Sequence, residues 1–139
     1  MEEENRTLLL ILQAAREEFL AKGFQGASLR RIVKKAGVTT GAFYRYYPTK
    51  EALFEALVKP AADAIQGYFA SGLREIRETP PEKQTGEMLH VSADTLDQVL
   101  DYFYDGHYDA VKMLLCCAGG TAYENFVQEI VEQEVDATA

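Results

Sequence analysis

Apolar residues recur at intervals of three and four along almost the whole chain, and this period organises it into helices. Leu8, Ile11, Leu12, Ala15 and Phe19 share one face of a helix predicted from Arg6 to Lys22 and ended by Gly23, with Met1–Asn5 before it read as a short, frayed acidic tail. After a turn over residues 24–27, Ser28 is a good N-cap for a second helix reaching Ala36, whose apolar positions are Leu29, Ile32, Val33 and Ala36. Gly37 supplies a turn. Thr39 caps a third, short helix from Thr40 to Tyr46, with Phe43 as its core anchor. Pro48 stops that helix and Thr49 caps a long one from Lys50 to about Glu78, through Leu53, Phe54, Leu57, Ile65, Phe69, Leu73 and Ile76, with a kink expected at Pro60.

Thr79, Pro80 and Pro81 form the clearest linker signal. Beyond it, Leu89, Val91, Leu96, Val99, Leu100 and Phe103 predict a helix from about Gly86 to Asp105, broken by Gly106. A compact helix over Tyr108–Ala118 ends at Gly119 and Gly120, and the Thr121/Glu124 pair has the form of a capping box opening a last helix to about Val135. No alternating run and no hairpin signal occurs, so the fold class is all-α. An N-terminal three-helix domain over residues 1–57 is joined by the long helix to an all-helical domain over 58–139.

Charge sharpens this division. Residues 1–59 carry ten Lys or Arg against seven Asp or Glu, whereas residues 60–139 carry four against fifteen, within a chain of net charge −8. From Ser28 to Lys50 there are six basic residues, Arg30, Arg31, Lys34, Lys35, Arg45 and Lys50, and no acid. A basic segment in an acidic chain, with a glycine turn between two short helices, has the form of a helix-turn-helix facing nucleic acid. Contact with phosphates is confined to the first part, because the second part repels them. Gly41 and Ala42 are small enough for a helix to sit deep in a major groove, Tyr44 and Tyr46 offer hydroxyls to phosphates, and Arg45 can hold a phosphate or take guanine through two hydrogen bonds.

The second part offers less specific chemistry. Tyr102, Phe103, Tyr104, His107, Tyr108, Met113, Cys116, Cys117, Tyr123 and Phe126 are an aromatic and sulfur-rich set suited to an apolar ligand pocket, and equally suited to a helical core. Asp94, Asp97, Asp101, Asp105 and Asp109 fall at helical spacing as a solvated face, with no glycine-bearing calcium loop. Neither histidine sits in a nucleophile or metal motif and no phosphate-cradling loop occurs, so no catalysis, cofactor or metal is expected. The two cysteines, Cys116 and Cys117, are adjacent and supply no disulfide framework. No apolar run is long enough for a membrane span or a signal peptide, and a cytoplasmic location is expected.

The stretch AAREEFLAKGFQGASLRRIVKKAGVTTGAFYRYYPTKEALFEAL closely resembles the DNA-binding domain of the tetracycline-repressor (TetR) family, in its Phe, Gly-Phe, Ser, Ala-Gly-Val, Gly, Phe-Tyr, Tyr and Lys-Glu-Ala-Leu pattern. The resemblance implies a homodimer whose recognition helices enter successive major grooves of a pseudo-palindromic operator in double-stranded DNA, with an unknown small-molecule effector acting on a ligand-sensing and dimerisation domain. By position it places Thr39, Thr40, Gly41, Ala42, Tyr44, Arg45 and Tyr46 in the recognition helix, with Ser28 and Arg30 at the start of the preceding helix and Lys50 at the start of the connecting one, where phosphates are touched. Tyr46 stands where many relatives have histidine. Relatives extend through roughly two further long helices forming a four-helix dimer interface, so the chain is expected to be short at its C-terminus. The expected function is a non-enzymatic transcriptional repressor released by its ligand. The alternative is a helical protein-interaction adaptor whose basic patch binds acidic protein.

Overall fold

Phe19 and Phe24 meet Phe54, thirty residues beyond Phe24, at the centre of the N-terminal half. In a computed structural model, which describes residues 2–138, the rings of Phe19 and Phe54 meet edge-on at 5.1 Å, those of Phe24 and Phe54 at 5.4 Å, and those of Phe19 and Phe24 lie 6.1 Å apart. Around them Ile11, Ile32, Phe43 and Leu53 are fully buried. The elements that deliver these side chains are α1 (Glu2–Gly26), α2 (Leu29–Ala36), α3 (Thr40–Tyr46) and α4 (Lys50–Glu78). A 3₁₀ turn (Pro81–Lys83), α5 (Gln84–Tyr104), α6 (Tyr108–Cys116) and α7 (Phe126–Thr138) complete an all-α fold, with no strand among the described residues.

Most predicted boundaries follow from side-chain caps. The hydroxyls of Ser28, Thr39 and Thr49 accept hydrogen bonds from the backbone N–H groups of Arg31, Ala42 and Ala52 at the starts of α2, α3 and α4. Gly37, at φ 71°, closes α2 in the left-handed conformation, and its N–H returns to the carbonyls of Val33 and Lys34. Pro60 lies inside α4, which continues past it as one helix. Both Pro60 and Ala56 face solvent, so the carbonyl that loses its partner can be hydrated.

Three expectations are corrected. Glu2–Asn5 are helical, because three glutamates in the first turn offset the positive end of the helix dipole and Thr7 Oγ1 donates to the Glu3 carbonyl at 2.9 Å. The Thr121/Glu124 pair does not open α7, which begins at Phe126: the Thr121 hydroxyl donates to Ala118 O at 2.7 Å and accepts from Tyr123 N–H at 3.1 Å, making a local turn instead. The apolar residues of α5 do not share one buried face. Val91 and Thr95 are buried and Val99 and Phe103 partly so, while Leu89, Leu96 and Leu100 point outward with 74%, 57% and 50% of their surface exposed.

The core does not stop at the end of the three-helix unit. Val111, Met113 and Leu114 of α6 and Phe126 and Ile130 of α7 join the same buried cluster through α4, and Phe24 N–H donates to Cys117 O at 2.9 Å. Gly23, at φ 71° and ψ 171°, breaks α1 as expected, and the last turn beyond that break is thereby hydrogen-bonded to the end of α6. On the far part of α4, Gly72 is buried against α5. A methyl group there would lie 2.7 Å from Thr95 Oγ1 and 3.1 Å from Val91 Cγ1, so the absence of a side chain sets how closely the two helices approach.

The turn from α1 to α2 depends on Glu18, whose residue is only 7% exposed. Its carboxylate accepts from Ser28 N–H at 2.9 Å and from Arg31 Nε and an Arg31 terminal nitrogen, both at 2.8 Å. Burial alone would raise the Glu18 pKa, but the hydrogen bonds from Arg31 and Ser28 and the charges of Arg31 and Lys22 together hold it below the usual carboxylate value of 4.5.

Two outcomes are expected. Gly72→Ala should lower the melting temperature, because an overpacking cost of about 1–3 kcal/mol set by two β-branched, rotamer-locked neighbours outweighs a helix-propensity gain of about 1 kcal/mol; in a Thr95→Ala background the loss should shrink. Thermal melts followed by circular dichroism measure both, and an unchanged Gly72→Ala would contradict the close approach. Because the folded pKa of Glu18 is depressed, its stabilisation is present above about pH 4.5 and is lost as pH falls through the lower folded value. Glu18→Gln should therefore cost about 1–3 kcal/mol at pH 7 and progressively less in acid, a convergence that paired denaturant titrations would reveal.

Candidate nucleic-acid interface

α2 and α3 together present the acid-free segment, and packing determines which of its side chains remain available. The six basic residues divide into two sets. Arg31 is bound to Glu18, Lys35 Nζ lies 2.9 Å from Glu17 Oε2, and Lys50 Nζ points at the carbonyls of Ala27 (3.2 Å) and Gln25 (3.4 Å), 4.6 Å above the Phe24 ring. These three tie α2 and α4 to α1. Among the described residues Arg30, Lys34 and Arg45 are exposed and have no ion-pair partner. Arg30 and Lys34, four residues apart, lie on one side of α2, and Arg45 lies on α3. The charge-rich stretch thus resolves into three structural cations and three outward ones.

On α3 the inward residue is Phe43, fully buried, and the outward ones are Thr40, Gly41, Tyr44 and Arg45, with Thr39 exposed at the cap and Ala42 half-buried. Tyr44 is 46% exposed and its ring meets Phe43 edge-on at 5.4 Å. Gly41 has no internal reason to lack a side chain: a methyl group built on it would meet nothing within 4 Å. Glycine inside a helix costs about 1 kcal/mol relative to alanine, and here the space it leaves opens outward.

Tyr46 behaves differently. It is half-buried and its hydroxyl donates to the Glu4 carbonyl at 3.1 Å, which ties α3 to the first turn of α1. Glu3, Glu4, Thr7, Ala42, Arg45 and Tyr46 line an open cleft of about 400 Å³ at that junction. Ser28 is half-buried, with its hydroxyl engaged as the α2 cap. Sequence reasoning did not anticipate the internal roles of Arg31, Lys35, Lys50 and Tyr46, because their partners are backbone carbonyls or acids of α1 distant in sequence. Only Glu17 and Glu18, spaced one turn-reversal ahead of the basic run, carried any signal.

The aromatic and sulfur set of the second half does not converge on one cavity. Tyr102 and His107 stack at 3.9 Å, with His107 Nδ1 3.0 Å from the Tyr102 carbonyl; Phe103 meets Tyr108 edge-on at 4.9 Å; Met113 is fully buried. Cys117 is buried, which pushes its thiol pKa up with help from neighbouring Cys116, and Cys116 is exposed. Tyr123 is half-buried. Phe126 alone of the set borders an apolar groove of about 320 Å³, otherwise lined by residues of α4, α5, α6 and α7 that no motif had marked. Asp94, Asp97 and Asp101 of α5, Asp105 at its end and Asp109 in the first turn of α6 are all exposed, and among the described residues no group of three or more His, Cys, Asp or Glu could hold a metal ion. No helix among them is long and apolar enough to cross a membrane.

Residues 11–57, which span the body of α1, all of α2 and α3 and the start of α4, match the family described as bacterial regulatory proteins, tetR family. The uncharacterized HTH-type transcriptional regulator YdgC of Bacillus subtilis is 48% identical over 48 residues, 34% of this chain and 25% of its own length. The nucleoid occlusion factor SlmA of Actinobacillus pleuropneumoniae is 37% identical over 57 residues, 41% of this chain and 28% of its own. The matched stretch thus spans about a quarter of each relative. A crystal structure from Shewanella sp. PV-4, described as a candidate tetR family transcription regulator, aligns with 94% of this chain and 71% of its own at 22% identity and a TM-score of 0.37, a likeness on which nothing here rests. Residues 11–57, from α1 to the start of α4, are thus similar to the tetR family of bacterial regulatory proteins.

Proposed function

We propose that this chain is a DNA-binding transcriptional regulator that acts by binding and not by catalysis. Residues 1–57 form the DNA-reading head and residues 58–139 a regulatory, ligand-sensing part. The observation that carries this reading is the outward face of α2 and α3: Arg30, Lys34 and Arg45 without charge partners, around a Gly41 whose open side has no internal purpose. α3 enters the major groove with Thr39, Thr40, Gly41, Ala42, Tyr44 and Arg45 toward the bases and phosphates. Arg30, Ser28 and Lys34 hold the flanking backbone. Few of these side chains can read a base edge, so phosphate contacts and DNA shape supply much of the affinity. Tyr46 and Lys50 act chiefly by holding α3 and α4 against α1, which positions the reading surface.

In this reading the protein is a cytoplasmic repressor. Two copies occupy the half-sites of a pseudo-palindromic operator, and a small molecule bound in the second part favours a spacing that no longer fits the DNA. Only a ligand with unequal affinity for the two spacings can do this. The homodimer is part of the reading because one head makes half of the contacts.

The test is salt and sequence dependence. Affinity for duplex DNA should fall steeply with salt, and Arg30→Gln should flatten the slope of log K against log[salt] by about 1 for each phosphate contact removed. A palindromic duplex should bind better than random sequence. Absence of salt-dependent binding even at low salt overturns the reading and favours an adaptor that binds acidic protein. A second outcome separates fold from function. Gly41→Leu should stabilise the protein by about 0.5–1 kcal/mol while weakening DNA binding about tenfold or more, since a side chain then fills the space a groove wall would take. Unchanged DNA affinity would show that this face is not the contact surface.

A further inference from the structure

The face of α3 offered to DNA has an acidic neighbour. The first turn of α1 carries Glu2, Glu3 and Glu4, all exposed. Glu3, Glu4 and Thr7 form one side of the open cleft of about 400 Å³ whose other side is Ala42, Arg45 and Tyr46 of α3. The Tyr46 hydroxyl, donating to the Glu4 carbonyl at 3.1 Å, holds that turn against α3. Among the described residues neither Glu3 nor Glu4 forms an ion pair, so Arg45 across the cleft is not their partner. The segment 28–50 is free of acid in sequence, but folding sets two carboxylates at its edge.

We infer, on the proposed reading that α3 enters a major groove, that the first turn of α1 is an electrostatic brake on binding: Glu3 and Glu4, held in place by Tyr46, repel the adjoining phosphates and make binding by a single head weak. A major groove about 12 Å wide takes one helix of about 10–12 Å, with phosphates along both rims. An element that borders α3 across an open cleft therefore meets a rim. The N-terminus of a helix ordinarily favours a phosphate, through its free N–H groups and about half a positive charge. Three glutamates in the first turn reverse that sign here. The outward cations of α2 and α3 are Arg30, Lys34 and Arg45, so two opposing carboxylates are a large part of the local balance. Exposed charges act over about 8–10 Å at ordinary salt, so the position of these acids matters and the net charge of the chain does not. A head that gains little from phosphates alone leaves more of the affinity to the base-facing side chains of α3 and to the joint binding of two heads.

The probe is a random-sequence duplex about two helical turns long, titrated by fluorescence anisotropy over a range of salt. The double variant Glu3→Gln/Glu4→Gln should bind about fourfold to tenfold more tightly at low salt, with the slope of log K against log[salt] steeper by about 1–2 and the gain fading as salt rises. Asp97→Asn/Asp101→Asn makes the same change of net charge on the exposed side of α5, and should leave affinity and slope nearly unchanged. In a Tyr46→Phe background the gain from the glutamine pair should shrink, because the turn is no longer held against α3. Circular dichroism checks helical content and melting for each variant. An unchanged slope overturns the inference, and so does a gain matched by the α5 pair. Weaker binding by the double variant also overturns it, and would show that the two acids hold Arg45 in its binding position. An undiminished gain in the Tyr46→Phe background overturns the part given to that hydroxyl. No salt-dependent binding by either the unaltered protein or the double variant overturns the DNA reading and the brake together. An unaltered protein that binds with a slope the double variant does not change overturns the brake alone.

Discussion

A single buried carboxylate governs how the two short helices are presented. Glu18 takes the Ser28 N–H at the start of α2 and the side of the Arg31 guanidinium, and so fixes both the entry angle of α2 and the fate of one of its charges. Without a partner such a group would be costly to bury. With three donors it is satisfied, and the net effect of burial, hydrogen bonds and positive neighbours still leaves it ionised at neutral pH. The phenylalanine trio beneath it, Phe19, Phe24 and Phe54, sets the distance between α1 and α4 but carries no directional preference of comparable strength. The hydrogen-bonded carboxylate supplies direction and the aromatic core supplies the free energy, a common division between polar and apolar groups.

From that latch follows the sorting of charge. Positive residues near one another repel, and a protein that needs some of them free must anchor the others. Arg31 and Lys35 go to acids of α1, Lys50 to backbone carbonyls and the face of Phe24, and Arg30, Lys34 and Arg45 remain outward. The anchored cations are not spare copies of the outward ones. Arg31 and Lys50 satisfy groups that would otherwise be left without a partner beneath the surface or at a helix end, whereas Lys35 and Glu17 form a pair at the surface.

The second half follows a different logic. α4 carries the core from the head into this part, α6 returns to bond the last turn of α1 through Cys117, and α5 and α7 flank an apolar groove on α4. Gly72 brings α5 close to α4, and Val127, Val131 and the outer leucines of α5 stay in contact with water. The head is tightly satisfied, while the second half leaves apolar surface uncovered around one carboxylate. A closely packed head joined by one continuous helix to a part with unfilled apolar surface is suited to passing a small change of packing along that helix.

The sequence by itself determined the elements and their ends. Ser28, Thr39 and Thr49 cap because a short hydroxyl side chain can reach an N–H three residues on; Gly37 turns because only it tolerates its φ; and the helical spacing of Ile11, Ala15 and Phe19 on α1, and of Ile32 and Ala36 on α2, marks the core of the head. These are local rules, legible from neighbours within one turn. Tertiary structure decided what depended on distant partners: that Glu2–Asn5 join α1, that Lys50 and Tyr46 are held by backbone carbonyls twenty-five and forty-two residues away, and that Thr121 satisfies Ala118 in place of a helix start. It also decided that Leu89, Leu96 and Leu100 face outward and that Glu134 lies in an apolar groove. Periodicity shows that a helix has an apolar side. Which of two adjacent apolar stripes is buried depends on the neighbour, and that is set only when α4, α5 and α7 come together.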